Sequence, residues 1–536
     1  MNLAGACCLA ALDPKDQYLP VWNVVIRPPD KSATCSQGCV QHNIGRWWDA
    51  LLRLEAATGF EIPADLEAAM ERHLHVCFDN KLQLLCEYPH YKSNHPHFID
   101  VHSQREGLLA LAARIRYRDD DWARETARKF VRALDRFITD EDLYNYDLLY
   151  EVAGKPREEE LPRDTFESNS ARMVTSTGRM IEGLTEVYTA SGDDAALDLA
   201  CRLAAWHVER TTREDGTDPD DVPFPKLHTH SYLNTLRGIL RVGLLTRRQD
   251  YVDRIATTFR VAVRGGLTET GFVSHDWRGV TLGDSASTGD AAQIATELAV
   301  LGYGEFFDDA EKYIRARILP GQITGPLGLI PHEESEDDVE VLEARCLGAF
   351  AGIHRYHPNA WPFPTTDVTT SNIHGLCAVY ARIFTKADHG LFVNLHFDCD
   401  HGPGRIRQKQ GDSRRTVTIT PNEPGRLFVR VPRWTPPGSV ALSSGGRSLP
   451  VERVGEFARI RPEAWQQEVT MSYDLPPRTT TETVDETTYE FKWRGDHILS
   501  VSPNLTLLPF YPATPGGVEI GPDEISTEKR QVVMPE

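Results

Sequence analysis

The sequence predicts a mostly α plus β protein, in which an N-terminal (α/α)6 barrel is followed by a C-terminal antiparallel β-sandwich. The first observation behind this prediction is that apolar residues recur at helical spacing (i, i+3, i+4, i+7) from residue 42 to residue 385, in paired segments. The second is a change to alternating apolar and polar residues after residue 386, in runs such as LFVNLHF and GRLFVRVP that are separated by Gly, Pro and Ser.

The length of the chain indicates more than one domain. Its 536 residues exceed the roughly 250–300 at which a single core usually stops growing. From the change of periodicity we expect an N-terminal extension that packs on the barrel over 1–41, the catalytic barrel over 42–385, the sandwich over 386–511 and a C-terminal tail over 512–536.

Composition and charge limit the partners and the cellular location that we expect for this protein. The formal net charge is −20, from 78 acidic against 58 basic residues with no Lys/Arg-rich block, which disfavours nucleic acid as a partner. No run approaches the ~18 consecutive apolar residues of a membrane span, and no positive segment precedes the short apolar run at the N-terminus, so we expect neither a membrane partner nor a signal peptide. The 10 Cys lack the spacing of a disulfide framework, which favours reduced thiols and a cytoplasmic location. The choice between a monomer and a homodimer stays open.

The helical segments predict hairpins arranged around one cavity. Short links join the two helices of each pair, whereas the connections between pairs are long. The predicted pairs are 42–57 with 65–78, 103–117 with 121–139, 170–190 with 193–211, 229–243 with 248–264 and 288–302 with 305–318, followed by a last helix over 371–384. Because long connections alternate with tight turns, we expect all of them at one rim, together with the free backbone N–H groups that begin six inner helices.

Polar residues are concentrated at the starts of the predicted inner helices. Some are expected to be caps, because Ser, Thr, Asp and Asn accept hydrogen bonds from the free N–H groups there. Capping does not explain the histidines, arginines and aromatics. The helix-start residues that we select for substrate contact are His102, Arg105, Arg172, Tyr232, Asp290 and Asn372.

The sharpest local cluster is FPKLHTHSYLNTLRG over 224–238, where His228 and His230 crowd the start of one inner helix. An i, i+2 pair at a loop–helix junction diverges and lacks a third ligand, so we expect no metal there. Structural hydrogen bonding, substrate contact and proton transfer all remain open for the two imidazoles. Both are selected as catalytic candidates.

The loop GLTETGFVSHDWRGVTLGD over 266–284 carries the residue types that glycoside hydrolysis needs. Carboxylates protonate a leaving oxygen or activate water, and Glu269, Asp276 and Asp284 are the candidates for these roles. An indole face packs on the apolar face of a sugar ring, which is the role expected of Trp277.

At these residues the chain resembles glycoside hydrolase family 127, the β-L-arabinofuranosidase group. TTSNIHGLCAVYARIFTKADHGLFVNLHF resembles the family's stretch from a Cys-Cys-x-x-Asn helix start into a Leu-Tyr-Val-Asn-Leu strand, with Asn372 and Asn394 at matching positions. GRLFVRVPRW resembles a family strand of the sandwich, and KLHTHSYLNTLRG resembles a family helix start, with a match at His228. The resemblance implies an (α/α)6 barrel followed by β-sandwich domains and an activity on carbohydrate.

The zinc chemistry of that family does not carry over. The resemblance implies zinc held by a Glu and three Cys, one of them the nucleophile, but Val368 and Thr369 occupy the places of the adjacent Cys pair. The Glu-x-Cys motif falls near Asp284, Ser285 and Ala286, so the third thiolate is missing too. Valine can neither attack carbon nor bind zinc. We therefore expect a branch of the family without metal, cofactor or catalytic Cys.

Three functions follow from these residues, in order of preference. The first is a glycoside hydrolase that acts through acid and base carboxylates on a plant, algal or microbial oligosaccharide, with inversion as the simpler outcome. The second is a polysaccharide lyase, in which a histidine or Tyr232 removes the proton next to a uronate carboxylate that Arg105 and Arg172 neutralise. The third is a carbohydrate-binding relative that has lost catalysis.

Overall fold

The computed structural model describes residues 1–27, 30–38, 40–86, 101–139, 145, 148, 174–218, 228–279, 283–350, 364–465, 467–484, 487–505 and 510–520. Within these ranges, no helix has the length and apolar character needed to cross a bilayer. Among the described residues, helices form most of the chain up to residue 380, and strands form most of it from residue 384 onward.

The helices follow the predicted order of paired segments. They are α1 (Asn2–Ala10), α2 (Val40–Thr58), α3 (Ala64–Phe78), α4 (Gln104–Arg118), α5 (Asp121–Phe137), α6 (Arg179–Ser191), α7 (Asp194–Thr211), α8 (Thr229–Thr246), α9 (Gln249–Thr258), α10 (Ser285–Val300), α11 (Phe306–Tyr313), α12 (Val339–Cys346) and α13 (Thr366–Tyr380). The π-helical turns Phe259–Val263 and Ile314–Ile318 extend α9 and α11.

Six helices contact one another in a closed cycle, which we call the helix ring. Helix α2 packs on α4, α4 on α6, α6 on α8, α8 on α10, α10 on α13, and α13 returns to α2. Each of α3, α5, α7, α9 and α11 packs on the ring helix that precedes it in the chain. Glycines permit the close approach within the ring, because a Cβ at Gly45 would lie 2.7 Å from the backbone of Glu106, and one at Gly238 would lie 2.7 Å from the Ile181 side chain.

Three ring helices begin earlier than their sequence pattern predicts, and α2 does so by two residues, at Val40. Helix α13 begins at Thr366 instead of residue 371, and α10 begins at Ser285 instead of residue 288. Thr and Ser residues hide the helical period there, since they are polar yet buried in the ring. The earlier start of α13 brings Asp367 into its first turn.

Short strands also lie before the C-terminal part: β1 (Leu12–Asp13), β2 (Leu19–Pro20), β3 (Asn23–Arg27), β4 (Ser32–Ser36) and β5 (Ile330–Pro331). The C-terminal part is built mainly from three sheets. Its strands are β6 (Phe384–Ala387), β7 (Gly390–Val393), β8 (Gly404–Gln410), β9 (Arg414–Pro421), β10 (Leu427–Arg430), β11 (Ala441–Ser444), β12 (Arg447–Leu449), β13 (Glu452–Val454), β14 (Phe457–Ile460), β15 (Val469–Asp474), β16 (Pro477–Val484), β17 (Thr487–Arg494) and β18 (His497–Ser502). The sheet orders are β13-β14-β10-β7-β6, β12-β11-β15-β9-β8 and β16-β17-β18. The prediction of a purely antiparallel arrangement is wrong at two places, because β10 pairs with β7 in parallel and Asn504–Leu505 pairs with Glu519–Ile520 in parallel.

Buried charges join the helical part to the sheets. Glu311 of α11 pairs at 2.7 Å with Arg315, one turn later, and also with Arg430 of β10. Arg415 of β9 pairs at 2.7 Å with Asp496, in the turn before β18. All five residues are buried, so each charge depends on its partner rather than on water.

Candidate active site

Five histidines gather where the ring helices begin, and we call them the histidine cluster. The rings of His42 and His102 stack with centroids 5.5 Å apart. The ring of His228, the residue that precedes α8, lies 5.6 Å from that of His102 and 4.4 Å from that of His275. His230 follows in the first turn of α8, with its ring 5.9 Å from His228. The long connections therefore do bring polar helix starts together, as the spacing of the sequence predicts.

Backbone pairing fixes His275 beside His228. The amide of Thr229 donates to the carbonyl of His275 at 2.8 Å, and its hydroxyl donates to the carbonyl of Ser274 at 2.6 Å. An isolated β-bridge joins His228 to Asp276. The loop before α10 is thus bonded to the start of α8, which places its side chains at the histidine cluster.

Asp284 is a buried carboxyl at the start of α10. It accepts hydrogen bonds from the Ala286 amide at 2.9 Å and the Ser287 hydroxyl at 2.8 Å, as a helix cap does. Burial raises the pKa of Asp284 above its usual range, and the negative charges of Asp290 and Asp367 add to the rise. The capping role expected from sequence is present, together with a property that suits a proton donor.

Asp367 is a second carboxyl of the site, and the sequence did not single it out. Arg46 Nε lies 2.7 Å from its Oδ1, and His42 Nε2 lies 3.0 Å from the same atom. Burial opposes its charge, but Arg46 and His42 hold the pKa of Asp367 well below its usual range. Its side chain keeps 20% exposure, so it is only partly shielded from solvent.

Three of the clustered imidazoles are held neutral. Burial lowers the pKa of His102, His228 and His230 well below the usual histidine range. Nearby positive charge lowers it further, from Arg179 for His102 and from Arg46 for His230. Neutral imidazole offers one hydrogen-bond donor and one acceptor, which suits sugar hydroxyls.

His275 differs from His102, His228 and His230 because its surroundings favour the protonated form. Burial opposes its protonation, but the hydrogen bond with Asp276, at 3.2 Å, and the charge of Asp284 raise the pKa of His275 above its usual value. Asp276 itself is half-exposed, with 49% of its side chain accessible. The arrangement makes Asp276 a partner of His275 and brings positive charge next to Asp284.

The floor beneath the histidines is made of paired charges. Arg105 donates to Glu182 through Nε at 2.8 Å and Nη2 at 2.7 Å, and to Glu106 through Nη1 at 2.8 Å. Arg179 donates to Glu106 at 2.6 Å. These four side chains are fully or almost fully buried. Arg105 therefore supports the site from below, rather than facing an open cavity.

Asp290 also belongs to the layer beneath the histidines. Its Oδ2 lies 2.5 Å from His230 Nδ1, and its Oδ1 accepts from Arg237 at 2.8 Å. The opposite ring nitrogen of His230 lies 2.7 Å from Arg46 Nη2. Both nitrogens of His230 are thus engaged by protein groups.

The paired charges continue deeper into the ring. His374 lies between Asp49, to which it is hydrogen-bonded, and Glu182, whose Oε1 is 3.3 Å away. Asp49 pairs with Arg53 at 2.6 Å, and Glu186 pairs with Arg241 at 2.7 Å. Asp49, Glu182, Glu186 and His374 are all buried, so the charged layer extends below the site.

Several residues selected from sequence lie elsewhere. Glu269 contacts Arg478 at 2.9 Å and Lys312 at 3.5 Å, which directs it toward the sheets and away from the histidine cluster. Tyr232 and Trp277 pack on each other with centroids 5.0 Å apart, and both are buried. Trp277 therefore has no free face for a sugar ring in this structure.

Of the last two residues selected from sequence, the structure describes Asn372 but not Arg172. Asn372 is buried and donates to the Ser285 hydroxyl at 3.2 Å and the Val368 carbonyl at 3.0 Å, so it ties α13 to α10. Arg172 lies outside the described residues. The pair that sequence reasoning missed, Arg46 and Asp367, had a partial signal: His42 and Arg46 lie four residues apart on one face of a helix.

The residues at the family's zinc positions do not fit that metal. Val368 and Thr369 are buried side chains of α13, and Ser285 and Ala286 begin α10. At the places of the Glu-x-Cys motif and the Cys pair, Asp284 offers a carboxylate, but no residue offers a thiolate. In the part of the chain that the structure describes, no group of three His, Cys, Asp or Glu is placed to hold an ion.

Comparisons with known proteins give a likeness in fold. No protein-family model matches the sequence, and no curated protein matches it either. Among solved structures, a GH127 β-L-arabinofuranosidase from Geobacillus stearothermophilus T6 is similar at 13% identity and a TM-score of 0.56, over 85% of this chain and 76% of that one. A second GH127 β-arabinofuranosidase is similar at 14% identity and a TM-score of 0.56, over 92% of this chain and 78% of that one. The chain therefore shares the fold of GH127 β-arabinofuranosidases over most of its length.

Proposed function

We propose that this protein is a glycoside hydrolase whose acid and base are Asp284 and Asp367. The observation that carries the proposal is that two carboxyls at one histidine-lined rim have pKa values displaced in opposite directions. Such a pair separates the roles of acid and base at one pH. The likeness in fold to GH127 enzymes supports glycosidase activity at the general level.

The architecture that we propose for this function is the (α/α)6 barrel over 42–385 with a β-sandwich over 386–511. The closed cycle of ring helices supports the barrel, and so does the packing of the second helix of each hairpin on the ring helix before it. Every ring helix then presents its N-terminal end to one mouth. Asp284 and Asp367 begin two neighbouring ring helices, α10 and α13.

In the proposed reaction, Asp284 enters protonated and gives its proton to the leaving glycosidic oxygen. Asp367 enters ionised and removes a proton from the attacking water, whose oxygen forms the new bond to the anomeric carbon. This is single displacement with inversion, which places carboxyls roughly 6.5–9.5 Å apart with water between them. The neutral imidazoles of His102 and His228 would hold sugar hydroxyls at the mouth.

The charges of the floor favour a hydrolase acting on a neutral sugar over a lyase. A lyase needs free cations to neutralise a uronate carboxylate. Arg46, Arg105 and Arg179 are each already paired with a protein carboxylate. A substrate carboxylate would have to displace one of these buried partners, which is costly.

The proposal is tested by incubating the protein with neutral tetrasaccharides of arabinose, xylose, mannose and glucose, and with tetragalacturonate, while new reducing ends are measured. We expect hydrolysis of a neutral substrate, lowered about 10²- to 10⁴-fold by Asp284→Asn or Asp367→Asn. Glu269→Gln is the matched control, because that carboxylate contacts Arg478 and Lys312. An ultraviolet band of an unsaturated uronate would indicate the lyase instead, and binding without turnover would indicate the inactive relative.

A further inference from the structure

His230 is held between an acid and a guanidinium, and this geometry determines where its proton lies. Arg46 can only donate hydrogen bonds, because guanidinium has no acceptor. Its Nη2 lies 2.7 Å from His230 Nε2, so that nitrogen must carry a lone pair. The proton of the neutral ring is therefore on Nδ1, where it is donated to Asp290 Oδ2 at 2.5 Å.

The same guanidinium continues the contact to the candidate base. Arg46 Nε lies 2.7 Å from Asp367 Oδ1 and 2.9 Å from His42 Nε2. Four side chains therefore contact one another in a series: Asp290 of α10, His230 of α8, Arg46 of α2 and Asp367 of α13. The side chain of Asp367 keeps 20% exposure, whereas those of His230 and Arg46 are almost fully buried.

We propose that Asp290 and His230 are positioning residues that act through Arg46 to keep Asp367 ionised and aimed at the mouth. This rests on the proposed function of Asp367. It also reassigns His230, because a ring with both nitrogens engaged by buried groups is not free to exchange a proton with substrate. His230 serves as a fixed acceptor that stops the long Arg46 side chain from rotating away.

Other charged groups around Asp367 do not replace this support. His42 on α2 shares its Oδ1, Asp284 and His275 act from α10 and the loop before it, and Arg179 acts from α6. Arg179 is tied to Glu106 at 2.6 Å, and Asp284 opposes the negative charge of Asp367. Arg46 is the guanidinium in direct contact with Asp367, and it is held both by His230 and by Glu106, whose Oε1 lies 3.4 Å from Arg46 Nη2. The contacts that hold Arg46 therefore act on the charge of Asp367.

The tautomer is tested in the resting protein by ¹⁵N–¹H correlation spectra of the histidine rings, assigned with His230→Gln. We expect His230 to carry its proton on Nδ1. A protonated Nε2 in the unsubstituted protein would overturn the inference. This measurement is independent of turnover, so it separates failure of this inference from failure of the proposed hydrolase activity.

The effect on Asp367 is tested by the pH profile of kcat/KM. When Arg46 is no longer held in place, the pKa of Asp367 should rise. The acidic limb of the profile should therefore move to higher pH by about one to three units in Asp290→Asn and in His230→Leu. His230→Gln should stay close to the unsubstituted protein, because its amide oxygen can accept from Arg46.

Gln293→Leu is the control for a merely structural effect. Gln293 accepts from the same Arg237 Nη1 as Asp290, at 2.7 Å, but does not contact His230. We expect this variant to leave the acidic limb in place. An equal shift of the limb in Gln293→Leu and Asp290→Asn would contradict a role specific to the series.

Discussion

Glu311 of α11 and Arg430 of β10 form an ion pair that is buried where the helical part meets the sheets. Burial alone would raise the pKa of Glu311, but Arg315 and Arg430 hold it well below its usual range. We predict that Glu311→Gln lowers the free energy of unfolding by about 3–5 kcal/mol at pH 7, because it leaves buried guanidinium groups unpaired. Urea denaturation measures this change.

The matched control for that prediction is Glu125→Gln, which removes an exposed pair with Arg128 on α5. Its expected cost is about 0–1 kcal/mol. A Glu carboxylate with a lowered folded pKa stabilises the protein above its unfolded pKa and loses this contribution as pH falls through the folded value. The difference between Glu311→Gln and the unsubstituted protein should therefore shrink in strong acid. A cost for Glu311→Gln no larger than that of the control would contradict the importance of the junction.

The two proposed catalytic carboxyls predict opposite limbs of the pH profile. Asp284 must be protonated to act as the acid, so activity should fall as pH rises through its raised pKa. Asp367 must be ionised, so activity should fall as pH drops through its lowered pKa. Asp284→Asn should remove the alkaline limb and Asp367→Asn the acidic one, in profiles of kcat/KM. The assignment is wrong if either variant removes the other limb.

Chelation and thiol alkylation should leave turnover unchanged. Val368 and Thr369 stand where the resemblance implies zinc-binding thiolates, and the cysteines nearest along the chain, Cys346 and Cys377, are buried. We expect the same kcat before and after EDTA, and before and after iodoacetamide. Activity lost to EDTA and restored by zinc alone would show that the proposed acid–base pair is not the catalytic machinery.

Two buried histidines predict that the protein loses stability in mild acid. Burial lowers the pKa of His207 and of His396 to about 3 in each case. A folded pKa below the unfolded value of 6.5 means that the unfolded chain binds more protons between these values, so stability falls as pH drops below about 6.5. Each group contributes a slope of up to about 1.4 kcal/mol per pH unit.

His396→Gln tests this source of acid sensitivity. The histidine is hydrogen-bonded to the Tyr473 hydroxyl at 2.7 Å, and an amide can keep that contact. We expect a shallower dependence of the unfolding free energy on pH between 6.5 and 4.5, measured by urea denaturation at each pH. An unchanged slope in the variant would assign the acid sensitivity to other groups.

The sequence predicts the helical pairs well because each pair is a local unit. Apolar periodicity and short links define α4 with α5 and α8 with α9 within one or two residues at most boundaries. The start of α13 was predicted five residues late, since Thr366, Thr369 and Thr370 are polar by type but buried in the ring. Burial of a hydroxyl depends on neighbours far along the chain, which periodicity does not report.

The candidate site was predicted in part for the same reason. His228, His230 and Asp284 were found because they stand at helix starts, which local sequence marks. Asp367 was missed with the start of its helix. Trp277 was expected to hold a sugar, but whether its indole faces the mouth or the Tyr232 ring depends on tertiary packing.

The buried ionic floor limits how a ligand can enter and leave the helix ring. Arg105, Glu106, Glu182 and Arg237 close the ring below the histidines, and all are almost completely inaccessible. If the protein acts on a glycan as proposed above, the chain of sugars cannot pass through this closed end. Departing product and arriving substrate then compete for one opening.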